Sequence, residues 1–92
     1  MTIKLKDGFE VQINETSLND WKLLTALRKL DKGEYGLIVD VAEMLLGGEE
    51  EVDRLAEHLA VDGVTAADTM VDALSEILNS AKELKNSQSS PA

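Results

Sequence analysis

Cysteine is absent from this 92-residue chain, and proline and histidine occur once each. The lack of cysteine excludes disulfides, cysteine-based metal sites and a thiol nucleophile, and it fits a reducing compartment. Long apolar runs are also missing. The longest, from Leu37 to Leu46, is broken by Asp40 and Glu43, whereas a membrane-spanning helix needs about twenty apolar residues. No basic stretch followed by an apolar run opens the chain, so we expect no signal peptide.

Basic side chains are scarce, with nine Lys and Arg against eighteen Asp and Glu and a formal net charge of −9. Neutralising phosphates requires clustered Lys and Arg, so this composition argues against a nucleic-acid partner. The hydrophobic content of 43 % favours a folded chain over a disordered one. The length fits one domain, which at this size buries somewhat more than about 60 % of its unfolded surface.

The acidic side chains are concentrated in the middle of the chain. Residues 34–76 contain twelve acidic side chains and one basic side chain, Arg54, whereas residues 1–33 and 77–92 each carry a net charge of +1. Such a field keeps a protein in solution and repels other acidic surfaces. A solvated acidic surface without a specific partner is the ordinary interpretation, and steering of a basic partner is the alternative.

Residues 1–14 have the alternating pattern of a β-hairpin. A two-residue Asp-Gly turn would place the apolar residues of the two strands on opposite faces. A three-residue loop of residues 6–8 instead pairs Leu5 with Phe9 and Ile3 with Val11, so that one face is apolar. We therefore predict the three-residue loop, with Gly8 in a left-handed conformation. An isolated hairpin is marginally stable in water, so its apolar face should pack on helices.

Four helices are predicted after the hairpin. Capping-box variants begin the first helix at Ser17 and the last at Thr65, and glycines follow the first two helices. The predicted helices cover residues 17–30, 34–46, 49–60 and 65–84. The first is expected to bury Leu23, Leu24, Leu27 and Leu30, with Trp21 at the boundary of that face. Residues 86–92 are polar and are expected to form a disordered tail. The prediction is a single α+β domain over residues 1–85, with an N-terminal β-hairpin packed on a bundle of about four α-helices.

The second predicted helix is apolar nearly all round. One stripe contains Tyr35, Ile38, Ala42 and Leu45, and a second contains Leu37, Val41 and Met44. A helix of this kind is buried within its own fold or against a partner. We take the second stripe as a candidate partner-binding wall, and burial in the core is the alternative.

The last helix carries apolar residues at alternating spacings of three and four, among them Met70, Leu74, Ile77 and Ala81. This is the spacing of a coiled-coil seam, which makes these residues candidates for self-association. Packing on the other helices of the same chain is the simpler interpretation of so short a seam.

Candidate catalytic groups are few. His58 is the only histidine, with Arg54 and Asp62 one helical turn away on either side. Gly47-Gly48 lacks the Lys-Ser/Thr that follows a phosphate-binding loop. Glu49-Glu50-Glu51 lacks the alternating ligands of a calcium loop. We therefore expect no enzyme activity, no cofactor and no metal site.

Three segments resemble the tail assembly chaperones of long-tailed siphophages. They are DGFEVQI at 7–13, LNDWKLLTAL at 18–27 and LDKGE at 30–34, and the acidic helices after them are similar in character. The resemblance covers most of residues 3–85. The hairpin followed by Asp-Trp-x-Leu-Leu-x-Ala-Leu is its most specific part.

This resemblance implies a protein that acts during virion assembly in the host bacterial cytoplasm and is absent from the mature virion. Members of the family bind the tape measure protein, a long helical chain, and keep it soluble while the tail tube polymerises around it. A frameshifted longer form helps to recruit the tail-tube protein in many phages. The implied partners are therefore the tape measure and tail-tube proteins, and the number of copies needed along a long client implies a homo-oligomer.

Three other functions are compatible with the composition. An acidic decoy would bind a DNA-binding protein by imitating phosphate charge, and salt-sensitive competition with DNA would reveal it. A small carrier protein is also acidic and helical, but the Asp-Ser-Leu attachment motif is missing here. The third is an adaptor in some other assembly that binds a basic protein.

Overall fold

The computed structural model describes residues 1–88, with side chains for all of them except Tyr35 and residues 85–88. A two-stranded antiparallel sheet of β1 (Thr2–Lys4) and β2 (Glu10–Gln12) is followed by four α-helices. The helices are α1 (Trp21–Asp31), α2 (Ile38–Leu46), α3 (Glu49–Leu59) and α4 (Ala67–Gln88). This arrangement confirms the predicted α+β fold of an N-terminal hairpin on four helices.

The hairpin has the predicted register. Ile3 pairs with Val11 and Lys4 with Glu10, and the Leu5 N–H donates to the Phe9 carbonyl at 2.8 Å. Gly8 has φ 93°, the left-handed conformation that the three-residue loop requires of it. Ile3 and Val11 are fully buried, so the apolar face is the one that packs on the helices.

Carboxylates from two helices hold the edges of the hairpin. The Gln12 N–H donates to Glu51 of α3 at 2.8 Å, and the Lys6 N–H donates to Glu76 of α4 at 2.7 Å. A third bond joins the Asn14 N–H to the Leu45 carbonyl of α2 at 2.8 Å. These backbone donors would otherwise depend on water, so the acidic side chains fix the position of the sheet over the helices.

The first α-helix begins later than predicted. Asp20, and not Ser17, is its N-cap: Asp20 has ψ 127°, and its carboxylate accepts the Lys22 N–H at 2.8 Å. Residues Glu15–Asn19 form a separate 3₁₀ helix, in which Ser17 is buried and its carbonyl accepts the Asp20 N–H. The extended backbone at Asp20 therefore separates two helical segments that the sequence pattern had joined. The helix ends as expected, with Gly33 at φ 95° and its N–H bonded to the Leu30 carbonyl.

The boundaries of the other helices differ by a few residues from the prediction. A 3₁₀ turn, Tyr35–Leu37, precedes α2, and Gly47 at φ 79° ends it as predicted. Helix α4 begins at Ala67, and the Thr65 hydroxyl donates to the Ala56 carbonyl at 2.6 Å. The predicted tail began at residue 86, but α4 continues to Gln88. Residues 89–92 of that tail lie outside the described residues.

Helix α2 lies at the centre of the core. Its buried residues Ile38, Val41, Ala42, Leu45 and Leu46 belong to one cluster with the hairpin, α1, Leu55 of α3 and the inner face of α4. Leu23 and Leu30 of α1 are buried as predicted, but Leu24 is 40 % exposed. Within residues 1–88, no helix is both long enough and apolar enough to cross a membrane.

Candidate protein-binding groove

The second apolar stripe of α2 is divided between core and surface. Val41 has no exposed surface and lies in the hydrophobic core, so it does not contribute to a binding wall in this fold. Leu37 and Met44 are partly exposed and line the same groove. Two of the three residues predicted for the wall therefore remain candidates, and the third stabilises the fold.

The four residues predicted for self-association lie inside the molecule. Met70, Leu74, Ile77 and Ala81 are all buried in the core cluster. The seam of α4 packs on its own chain, which was the simpler of the two interpretations. A homo-oligomer would consequently have to use another surface.

A groove runs between α1 and α2. One part, of about 400 Å³, is lined by Lys22 and Ala26 on one side and by Leu37, Asp40, Glu43 and Met44 on the other. An adjoining part, of about 260 Å³, shares Lys22, Ala26 and Leu37 and adds Trp21, Thr25 and Lys29. The shared residues make the two parts one continuous surface depression.

Trp21 is the most exposed large apolar side chain of the groove. It is 79 % exposed at the first position of α1. Tryptophan is enriched among the residues that dominate the energy of protein interfaces, because it contributes a large apolar surface with few rotatable bonds. The sequence pattern left Trp21 at a boundary. In the structure, Leu23, Ala26 and Leu30 form the inner face of α1, and Trp21 lies outside it.

The charges on the two walls have opposite signs. Lys22 and Lys29 belong to α1, whereas Asp40 and Glu43 belong to α2. A groove with an apolar floor and charges of both signs at its rim can orient a bound amphipathic helix as well as hold it.

The single histidine belongs to a structural cluster at the hairpin turn. His58 Nε2 lies 2.6 Å from Asp7 Oδ2, and its ring stacks on Phe9 with centroids 3.9 Å apart. The Arg54 guanidinium also lies over the Phe9 ring, 4.7 Å from its centroid. Of the two neighbours that the sequence suggested, only Arg54 joins the cluster, and the carboxylate is Asp7 rather than Asp62.

The carboxyl of Asp7 is stabilised in its charged form. The Phe9 backbone N–H donates to it at 3.0 Å and holds its pKa below the ordinary value, and the hydrogen bond to His58 lowers the pKa further. The cluster thus fastens the turn of the hairpin to α3.

The chain matches no protein-family model, no curated protein and no solved structure. Among the described residues, no three His, Asp or Glu side chains are grouped as a metal site requires. What the α1–α2 groove offers is an apolar surface with a charged rim, which is the chemistry of protein binding.

Proposed function

We propose that the protein is a non-enzymatic phage tail assembly chaperone that binds the tape measure protein and keeps it soluble while the tail tube assembles. The observation that carries the proposal is the exposure of Trp21 beside Leu37 and Met44 in the α1–α2 groove. The resemblance of residues 7–34 to this chaperone family supports the choice of client.

The groove suits a helical client. An amphipathic helix docks in an apolar groove through side chains at i, i+3, i+4 and i+7. Trp21 would supply the large anchor on the α1 side, and Met44 on the α2 side would adapt to different client residues, because its side chain is unbranched and flexible. A long client presents many such segments, so tolerance of different sequences is an advantage.

The negative charge would keep the complex in solution. The net charge is −9, and the acidic residues are concentrated in residues 34–76. Complexes that carry this charge repel one another, which limits aggregation while apolar client surface is covered. On this proposal the protein acts in the host bacterial cytoplasm and is absent from the mature virion. The tail-tube protein would be a second partner.

Co-expression with the tape measure protein of the same phage tests the proposal. Wild-type protein should increase the soluble fraction of the client, and Trp21→Ala should abolish most of that increase. Leu24→Ala is the matched control, because Leu24 is also an exposed apolar residue of α1 but does not line the groove. Circular dichroism should show the same helical content for all three proteins.

Two results would contradict the proposal. A client that is equally insoluble with and without the wild-type protein would exclude the chaperone function. Full rescue by Trp21→Ala together with loss of rescue by Leu24→Ala would place the client on a different surface.

A further inference from the structure

A second apolar cleft, of about 330 Å³, lies where α2, α3 and the start of α4 meet. Helix α2 contributes Val39 and Ala42, α3 contributes Val52 and Ala56, and α4 contributes Ala67 and Met70. None of these residues lines the α1–α2 groove. We call this surface the three-helix cleft.

The three-helix cleft is open and has almost no polar lining. Val39, on its α2 side, is 58 % exposed. Thr65 is the one polar residue in the lining, and its hydroxyl is already bonded to the Ala56 carbonyl at 2.6 Å. The small side chains of Ala56 and Ala67 leave room for the side chains of a partner. The cleft therefore offers contacts to apolar side chains and no free side-chain hydroxyl.

The helices that line the three-helix cleft belong to the acidic segment of the chain. From Ile38 to Glu76 the only Lys or Arg is Arg54. Arg54 is on the hairpin side of α3, 3.1 Å from Glu51 and over the ring of Phe9. The exposed carboxylates of this segment that do not line the α1–α2 groove include Asp53 and Asp68. An apolar cleft in this setting selects against an acidic partner and attracts a basic one.

We propose that the three-helix cleft binds a cationic amphipathic helix of a partner protein. An apolar ridge of that helix would fill the cleft, and Lys and Arg on its flanks would face the surrounding carboxylates. The partner differs from that of the α1–α2 groove, whose rim carries charges of both signs. With separate linings, the two sites can be occupied together, and the chain then acts as an adaptor between two helical segments.

A model peptide provides the direct test. The probe is a fluorescein-labelled peptide of about 18 residues, or about five helical turns, with Leu at i, i+3, i+4 and i+7 and Lys elsewhere. Fluorescence anisotropy measures its binding to the full-length protein. One control peptide replaces every Lys by Glu, and another has the Leu/Lys composition in an order that removes the apolar face.

The key variant is Val39→Lys, which adds a charged side chain at the exposed wall of the cleft. Ser75→Lys is the matched control, since it makes the same change in net charge at an exposed position of the same acidic segment that does not line the cleft. Val39→Asn removes apolar surface without adding charge. If Val39→Lys does not fold, the affinity of Val39→Asn for the peptide tests the proposal instead.

We expect saturable binding of the amphipathic Leu/Lys peptide and about tenfold weaker binding by Val39→Lys, in line with loss of a central interface residue. Val39→Asn should weaken binding several-fold, and Ser75→Lys about twofold or less. The Leu/Glu peptide should not bind. Trp21→Ala should bind the peptide as wild type does.

Three results would overturn the proposal. If Val39→Lys and Ser75→Lys weakened peptide binding equally, the peptide would be held by general charge attraction. The same would follow if the control peptide without an apolar face bound as tightly as the amphipathic Leu/Lys peptide. If Val39→Lys instead dissociated oligomers of the protein in the absence of peptide, the occupant would be a second copy. Failure here would leave the proposed client groove intact, because Trp21 and Leu37 lie outside the three-helix cleft.

Discussion

Truncation of Val41 to alanine should destabilise the protein far more than the same truncation at Val39. Both residues are valines of α2, two positions apart. Val41 has no exposed surface, whereas Val39 is 58 % exposed. The two variants remove the same atoms and gain the same helix propensity, so the comparison isolates burial.

The magnitude follows from the atoms deleted. Val→Ala removes two carbons, each worth about 0.8 kcal/mol when fully buried, and the cavity left in a packed core adds to this. We expect Val41→Ala to lower the free energy of unfolding by about 2–3 kcal/mol, and Val39→Ala to change it by about 0.5 kcal/mol or less. A domain of this size has a total stability of about 5–14 kcal/mol.

Urea denaturation followed by circular dichroism measures the difference. With an m-value of about 1–3 kcal/mol/M, the midpoint for Val41→Ala should fall by about 0.7–3 M, and the melting temperature should fall by about 10–20 °C. The m-value should be unchanged for both variants. Val39→Ala should unfold close to the wild-type midpoint.

Equal stabilities of the two variants would refute this reasoning. Val41 would then not lie in a packed core. If Val41→Ala also lost the capacity to keep a client soluble, Val41 would be assigned to the partner-binding surface with Leu37 and Met44.

Three further predictions concern the groove, the hairpin turn and the end of α2. Trp21 is the only tryptophan, so its fluorescence should shift to the blue when client covers it, and an unchanged spectrum at saturation would place the client elsewhere. The pKa of Asp7 is lowered in the folded protein, so its contribution to stability is present above its ordinary value of 3.8 and is lost as the pH falls through the folded pKa. Asp7→Asn should therefore be less stable than wild type at neutral pH, and this difference should disappear in acid; a constant difference in urea titrations would exclude the proposed charge effect. Gly47→Ala should destabilise by about 1 kcal/mol or more in thermal melts, because φ is 79° there, whereas an unchanged melting temperature would show that α2 ends differently.

The register of the hairpin was predictable in detail because few strand pairings place all its apolar residues on one face. A two-residue loop would have divided Ile3 and Val11 between opposite faces, and only the three-residue loop gives a single apolar face. The positive φ of Gly8 follows from that loop. The loop length and the need to bury one apolar face favour the same register, so contacts with the helices were not needed to predict it.

Helix ends were less predictable where two caps competed. Ser17 and Asp20 are both suitable N-caps. The structure uses Asp20, because the 3₁₀ helix before it buries Ser17 and Leu18. The choice between the two caps therefore depends on contacts beyond the local segment.

Sequence by itself determined the α+β class, the hairpin register, the glycine ends of α1 and α2, and the concentration of acidic residues in one segment. These features depend on neighbouring residues or on composition. Only the tertiary structure decided which apolar residues are core and which are surface. In a helix that is apolar nearly all round, periodicity places Val39 and Val41 on different faces but cannot tell which face is buried, because burial is set by the elements that pack against each side. The same holds for α4, whose seam is buried by the hairpin and α2, and for the two clefts, which exist only where separate helices meet.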